Sequence, residues 1–373
     1  MKKKILILYT SVGLGHKFIA ENIAYHLEQS GHEVLLHDIL QVQEGLMVDF
    51  GVWLHGFINR RLPFIWRWLY FSKVVNSIAI PLRIPLAKSN SENLEKIVVD
   101  FNPDCIISTQ TTASAAVSSL IWQNKFSGKF VIAFSDYHLH EFWLYDEADM
   151  YLVNIEQQKQ QMIKLGIDEE KIFVCGITLK PAIEIDEIQL RSKFNIPSTN
   201  SVVIFGSGSL GIGFSFNLLS SYLTRLTKEN PNVSVIVLCG KNELLQKRLR
   251  ELNFVNVMSL GFYNNPQELY AMADVLVTKP GGLTIAEALQ AGIKIQITHT
   301  LPGQEEPNYE YLLNQKLVNR IPIPLNARTL TDATIQLLSS PVGSETPESI
   351  QLTQAGQEGV ILRQSINSLF HTD

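Results

Sequence analysis

Cysteine is scarce. Cys105, Cys175 and Cys239 are the only three in 373 residues, and no Cys-x-x-Cys spacing joins any two of them. That excludes a disulfide framework and a cysteine-based zinc site, and it fits a reducing compartment. A charge excess is lacking too: the formal net charge is −5, which gives no footing for nucleic acid. No apolar run reaches the ~18 to 20 residues that cross a bilayer. Met1-Lys2-Lys3-Lys4 opens like a secretory signal, but the run Ile5-Leu6-Ile7-Leu8-Tyr9 is short and leads into a glycine loop, so it reads as a first buried strand. A Gly-Lys-Ser/Thr phosphate loop is missing. So is an Asp-x-Asp pair suited to holding a divalent ion on a diphosphate; Asp146-Glu147-Ala148-Asp149 has the wrong spacing and reads as a solvated helix face.

One absence is local. From Phe50 to Ser91 there is no Asp or Glu, whereas Arg60, Arg61, Arg67, Lys73, Arg83 and Lys88 fall there in a chain that is otherwise net acidic. Trp53, Phe57, Phe64, Trp66, Trp68, Tyr70 and Phe71 are interleaved with them, and such residues gather at a headgroup boundary. Arg60-Arg61-Leu62-Pro63 and Arg67 interrupt the apolar stretch. The segment is therefore expected to lie on an anionic membrane surface through Trp53, Arg60, Arg61, Trp66, Arg67 and Trp68, and not to cross it.

The rest of the chain alternates. Ile5 to Tyr9, a loop Thr10 to His16, a helix with Ile19, Ile23 and Leu27 on one face, and a strand Glu33 to Leu36 form a βαβ unit. Apolar runs at Cys105–Ser108, Phe130–Phe134 and Met150–Val153 continue a parallel sheet. A second series follows at Val202–Phe205, Val233–Leu238, Val255–Met258, Val275–Val277 and Lys294–Ile297. The reading is α/β: two doubly wound, Rossmann-like domains, residues 1–180 and 181–347, with ligands at the carboxyl ends of the strands in an interdomain cleft. A loop from Pro341 to Pro347 and a terminal helix within residues 348–373, packing back toward the N-terminal domain, complete it.

Two glycine loops carry the chemistry. Gly206-Ser207-Gly208-Ser209-Leu210-Gly211 satisfies G-x-G-x-x-G after a strand, but the strand Val233–Leu238 ends in Cys239-Gly240-Lys241-Asn242 with no acidic residue for an adenosine ribose, which argues against a dehydrogenase. Lys279-Pro280-Gly281-Gly282-Leu283-Thr284-Ile285-Ala286-Glu287, with Pro302-Gly303-Gln304-Glu305 beyond it, reads as half of a nucleotide-sugar site. Glycines at a helix start let a diphosphate approach backbone N–H groups. Glu287 is expected in the first turn of that helix, accepting from a ribose diol, with Gln304 and Glu305 on sugar hydroxyls. The plainer reading is an ordinary turn with Thr284 as the helix cap.

Ser11-Val12-Gly13-Leu14-Gly15-His16, Asp136-Tyr137-His138-Leu139-His140 with Trp143, Val237 to Asn242, Lys279 to Glu287, and Pro302 to Glu305 with Asn308 together resemble the lipid-directed glycosyltransferases that make galactosyl- and glucosyl-diacylglycerol. These are relatives of the N-acetylglucosaminyltransferase of cell-wall lipid intermediates. The resemblance runs from Ile5 to about Gln315. It implies a GT-B fold, a UDP-hexose donor in the second domain, a diacylglycerol acceptor in the first, inversion without metal or other cofactor, and a seat on the cytoplasmic face of the membrane. Ser135 stands where the family usually has threonine. His16 is the preferred base and Asp136 its rival or its orienting partner. Gly13, Gly15, His140 and Trp143 are expected around the acceptor. Gly206, Ser207, Gly208, Asn242, Gly281, Gly282 and Thr284 are expected around the donor, with Glu287 on ribose, Gln304 and Glu305 on the hexose, and uracil near Phe262. Alternatives are a transferase of N-acetylglucosamine to a polyprenyl-diphosphate acceptor, a related sugar 2-epimerase, and a nucleotide-sugar-binding regulator without catalysis.

Overall fold

The computed structural model describes residues 2–11, 14–40, 63–182, 184–211, 214–340 and 357–370. Among them, those within Met1–Lys180, Leu301–Asn308 and Gln351–Asp373 pack as one unit, and those within Pro181–Thr300 and Tyr309–Ile350 as a second. In chain order the first unit has β1 (Lys4–Tyr9), α1 (Leu14–Gln29), β2 (Glu33–Asp38), α2 (Pro63–Phe71), α3 (Lys73–Leu86), α4 (Lys88–Phe101), β3 (Cys105–Ser108), α5 (Thr111–Trp122), β4 (Lys129–Ala133), β5 (Met150–Val153), α6 (Glu156–Lys164) and β6 (Ile172–Val174). The second has α7 (Glu187–Lys193), β7 (Ser201–Gly206), α8 (Phe216–Glu229), β8 (Val233–Leu238), α9 (Glu243–Glu251), β9 (Val257–Leu260), α10 (Pro266–Tyr270), β10 (Val275–Thr278), α11 (Gly282–Gln290) and β11 (Lys294–Ile297). After these come α12 (Glu305–Asn314), α13 (Ala327–Ser339) and α14 (Glu358–Ser368).

Both sheets are wholly parallel. The first runs β2-β1-β3-β4-β5-β6, the second β11-β10-β7-β8-β9. Parallel strands covered by helices on both faces are near-continuously apolar, and Ile5, Leu6, Ile7 and Leu8 are all fully buried. In each sheet the chain winds outward from a starting strand and then crosses back to the other side of it. That reversal lies between β1 and β3 in the first unit and between β7 and β10 in the second, and the loops leaving these strands diverge there to leave a crevice.

Local departures from the sequence reading have plain causes. β6 has three residues, too few for a period to show, and is held by pairing Tyr151 with Ile172 and Val153 with Val174. The final strand of the β8–β9 pair starts two residues later than expected, at Val257, because exposed Val255 has no sheet neighbour. Asp146 to Asp149 is not a helix face but a turn, in which Asp149 accepts from the Phe130 N–H at 2.8 Å and from Lys129 Nζ at 3.0 Å. The terminal helix begins at Glu358; the expected loop at 341–347 lies outside the described residues. Leu362 and Ile366 of α14 are fully buried. Gly359 lies so close to the His26 ring that a Cβ would stand 2.2 Å from it, while Arg363 Nη1 donates to His26 Nδ1 at 3.2 Å. The opposite nitrogen of that ring, Nε2, donates to the Leu179 carbonyl at 2.6 Å. All three cysteines are buried, and burial pushes their thiols up, to about 12 for Cys175 and about 11 for Cys239.

Candidate active site

At the reversal of the first sheet, the loop after β1 delivers His16 as the third residue of α1. Thr109, just past β3, donates its hydroxyl to the His16 carbonyl and to the Leu8 carbonyl, each at 3.2 Å, which fastens the start of α1 to the strand ends. The His16 ring is held over Trp143 with centroids 6.3 Å apart, and Trp143 stacks on Phe134 at 5.0 Å. Its Nδ1 is buried with no hydrogen-bond partner among the described residues. Burial lowers the His16 pKa below the ordinary imidazole value, although the Asp136 charge and a backbone bond to Thr109 oppose that shift. A neutral ring with a free lone pair can accept a proton.

Asp136 follows β4 and is nearly fully buried. Asn308 Nδ2 donates to Oδ1 at 2.8 Å; Gln304 Nε2 and Ser135 Oγ reach Oδ2, each at 3.2 Å. Burial raises its pKa, but His138, the Asn308 and Gln304 bonds and His16 together outweigh burial, so the net shift is downward. The carboxylate is thus ionised and its lone pairs are largely engaged. Its backbone is equally fixed, since Asn154 Nδ2 at 2.8 Å and Gln158 Nε2 at 2.9 Å both donate to the Asp136 carbonyl. His140 is a brace: Nδ1 accepts from the Phe142 N–H at 3.2 Å and Nε2 donates to the Tyr70 carbonyl at 3.0 Å.

In the second unit, the loops after β7 and β10 meet. Gly208 has φ +74°, and a Cβ there would stand 3.2 Å from Lys279 Cε. Gly211 and Gly240 also have positive φ, and a Cβ on Gly211 would fall 2.0 Å from the Cys239 carbonyl oxygen. Ser207 gives its hydroxyl to the Leu238 carbonyl. Asn242 caps α9 by accepting from the Leu245 N–H at 2.9 Å and donates to the Gly211 carbonyl at 2.8 Å. These two side chains build the loop. The start of α11 is different: Gly281 is the N-cap, no side chain caps the helix, and a Cβ on Gly281 would meet nothing within 4 Å. Uncapped N–H groups beside a lysine suit an anion.

Two expectations need correction here. Thr284 is not the cap but the third helical residue. Glu287 is the sixth, in the second turn instead of the first, because the helix starts only at Gly282. Its carboxyl is buried, and burial lifts its pKa to about 8 against a weak opposing bond from Gln267 Nε2 at 3.5 Å. A buried carboxyl short of donors is what a ribose diol would satisfy. Phe262 follows β9 and is 40% exposed.

Residues 16–179 match the family described as Monogalactosyldiacylglycerol (MGDG) synthase, and residues 201–319 match the Glycosyltransferase family 28 C-terminal domain. The chain is a two-domain glycosyltransferase. It is 26% identical over 320 residues to a "Processive diacylglycerol beta-glucosyltransferase" of Bacillus pumilus, covering 83% of this chain and 80% of that one. A protein of the same name from Bacillus cytotoxicus is 27% identical over 315 residues, covering 83% and 79%. Among solved structures, a calicheamicin glycosyltransferase aligns with TM-score 0.64 at 13% identity, covering 100% of this chain and 99% of that one. A UDP-GlcNAc 2-epimerase from Neisseria meningitidis bound to UDP-GlcNAc aligns with TM-score 0.59 at 16%, covering 98% and 100%. At such identities these neighbours share the GT-B fold alone, and the fold is common to transferase and epimerase.

Several residues of the glycosyltransferase make contacts to which no motif points. Gln304 and Glu305 belong to the first unit: Gln304 bonds Asp136, and Glu305, buried, accepts from the Leu301 N–H at 2.9 Å. Asn308 and His138 stood in the matched motifs without a role. Asn308 follows Gln304 by one helical turn, a spacing that could have signalled a shared partner. His299 follows β11, outside every motif of the sequence. Its Nδ1 bonds Thr298 Oγ1 at 3.0 Å, its Nε2 has no partner among the described residues, and burial with the Lys279 charge lowers its pKa to about 4. Gly15 is exposed at the start of α1; Gly13, Trp53, Arg60 and Arg61 lie outside the described residues. Trp68 is 62% exposed, Trp66 is half-buried, and exposed Arg67 pairs with Glu306 at 2.9 Å.

Proposed function

We propose that this glycosyltransferase moves a hexose, glucose or galactose, from a UDP-sugar to the free hydroxyl of diacylglycerol with inversion. The observation that carries the chemistry is the pairing of a neutral His16, with a free Nδ1, and an ionised Asp136 whose oxygens are already taken. His16 takes the acceptor proton as the oxygen attacks the anomeric carbon. The bond from that carbon to the diphosphate breaks, and its electron pair leaves with UDP. Asp136 then stabilises the imidazolium it faces, and is itself too acidic and too fully bonded to be the better base. The uncapped start of α11 and Lys279 neutralise the departing diphosphate, and Glu287 receives the ribose. No metal or other cofactor takes part in this reaction scheme.

The acceptor is reached at a lipid surface. α2 and α3 expose Phe64 (68%), Trp68 (62%), Ile78 (62%), Phe71 and Leu82, in the segment that has basic but no acidic residues. No described helix is long and apolar enough to span a membrane. These features support peripheral attachment to anionic lipid on the cytoplasmic face. The test is transfer from labelled UDP-glucose and UDP-galactose into diacylglycerol vesicles, with and without phosphatidylglycerol and with and without a chelator. Labelled glycosyl-diacylglycerol, formed faster on anionic vesicles and unaffected by the chelator, is expected. UDP-sugar consumption without labelled lipid would defeat the reading.

A further inference from the structure

A row of hydrogen bonds begins on α2 and ends on Asp136. Tyr70 Oη lies 2.7 Å from His138 Nε2, His138 Nδ1 lies 3.2 Å from Asn308 Oδ1, and Asn308 Nδ2 lies 2.8 Å from Asp136 Oδ1. The direction of the row follows from its chemistry. The Tyr137 N–H donates to Asn308 Oδ1 at 2.8 Å while a carboxylate faces the other end of the amide, so the amide has one orientation. Oδ1 only accepts, so His138 carries a proton on Nδ1, and in that tautomer Nε2 is the acceptor of the Tyr70 hydroxyl. Every donor then points toward Asp136.

Tyr70 sits where such a row needs an input. Its neighbours on α2, Phe64, Trp68 and Phe71, are exposed, whereas its own ring packs inward, 4.4 Å from the His140 ring centroid. A Cβ on Gly303, whose φ is +85°, would approach the Tyr70 ring to 3.0 Å. One turn earlier on the helix, Arg67 holds Glu306, which in turn accepts from the Gly303 N–H at 3.2 Å. The helix with the aromatic outer face is therefore keyed to both segments that hold Asp136. Burial pushes the Tyr70 phenol well up, so it remains a neutral donor. Phenylalanine would fill the same space, and the hydroxyl contributes only the row.

We propose that Tyr70 is a positioning residue that conveys the seating of α2 on a lipid surface, through His138 and Asn308, to the orientation of Asp136. This rests on the diacylglycerol and membrane reading given above. On an anionic surface the helix is held and the row is complete; off it, Tyr70 shifts, His138 Nε2 loses the partner that steadies the ring, and Asp136 holds the His16 imidazolium less well.

The test compares wild type, Tyr70→Phe, His138→Gln and the double variant. Diacylglycerol is presented either in phosphatidylglycerol-containing vesicles or in neutral detergent micelles. On vesicles, Tyr70→Phe is expected to lower kcat about tenfold, the size of one hydrogen bond. The KM for UDP-sugar and vesicle co-sedimentation should stay within about twofold of wild type, and the double variant should be no slower than the slower single one, as members of one network behave. On micelles, wild type and Tyr70→Phe should be alike. His138→Gln reads the same row from its second member, so the test does not hang on one variant. Unchanged kcat on vesicles, an equal loss on both presentations, or multiplied losses in the double variant would each overturn the relay. Absence of transfer by the wild type to either presentation would instead sink the diacylglycerol reading and the relay with it.

Discussion

In the proposed reaction His16 and Asp136 divide one task between them, and their titration separates the roles. Because burial holds the His16 pKa below the ordinary imidazole value, kcat should rise with pH through an unusually acidic limb and be flat at neutrality. Asp136→Asn removes the charge that favours the imidazolium, so kcat should fall by about 10² to 10⁴ while the acid limb moves to still lower pH. If Asp136 were itself the base, the limb would vanish instead. Glu287 gives a second test. Its folded pKa of about 8 is above the usual carboxylate value, so the protonated form contributes stability that is complete below the unfolded pKa and is lost as pH rises through the folded one. Thermal melts of Glu287→Gln should therefore gain on wild type from about pH 5 to about pH 9, while UDP affinity falls. How these residues were legible differs. Asp136 and His16 stood out because strand ends facing a crevice are few. The engagement of Gln304 with Asp136 was hidden, because 168 positions separate them and no period reports a contact across the chain.

At the scale of elements, glycines that look alike in the sequence do different work. Gly211→Ala would drive a methyl into the Cys239 carbonyl at positive φ, and a cost of about 2 to 4 kcal/mol in denaturant unfolding is expected. Gly281→Ala meets no atom within 4 Å at negative φ. It should leave stability within about 0.5 kcal/mol and raise the KM for UDP-sugar about tenfold, because only a bound diphosphate comes close enough to clash. The strands were legible as apolar runs, and α1 as the spacing of Ile19, Ile23 and Leu27, all buried. A run of acidic residues looks alike on a helix and in a turn; the bonds of Asp149 to the Phe130 N–H and Lys129 Nζ mark Asp146–Asp149 as the turn. For α2, Trp68→Ser with Phe64→Ser should weaken vesicle co-sedimentation severalfold and leave the melting temperature unchanged, since both rings are exposed.

At the scale of the molecule, two parallel sheets with reversals between β1 and β3 and between β7 and β10 carry His16 and Asp136 on one unit and Gly281 and Glu287 on the other. α14 closes the first of them. Deleting residues from 357 onward would expose the partners of Leu362 and Ile366, about 3 to 6 kcal/mol of burial, and unit 1 should melt earlier while unit 2 is spared, giving two transitions in calorimetry. The buried cysteines have a practical consequence. With every native thiol shielded and shifted upward, maleimide dyes will ignore the wild-type protein. A cysteine introduced at Val99, 69% exposed on unit 1, and another at Ile188, 81% exposed on unit 2, would then be the sole attachment points, and energy transfer between the two fluorophores would follow any rearrangement of the units as UDP-sugar is added.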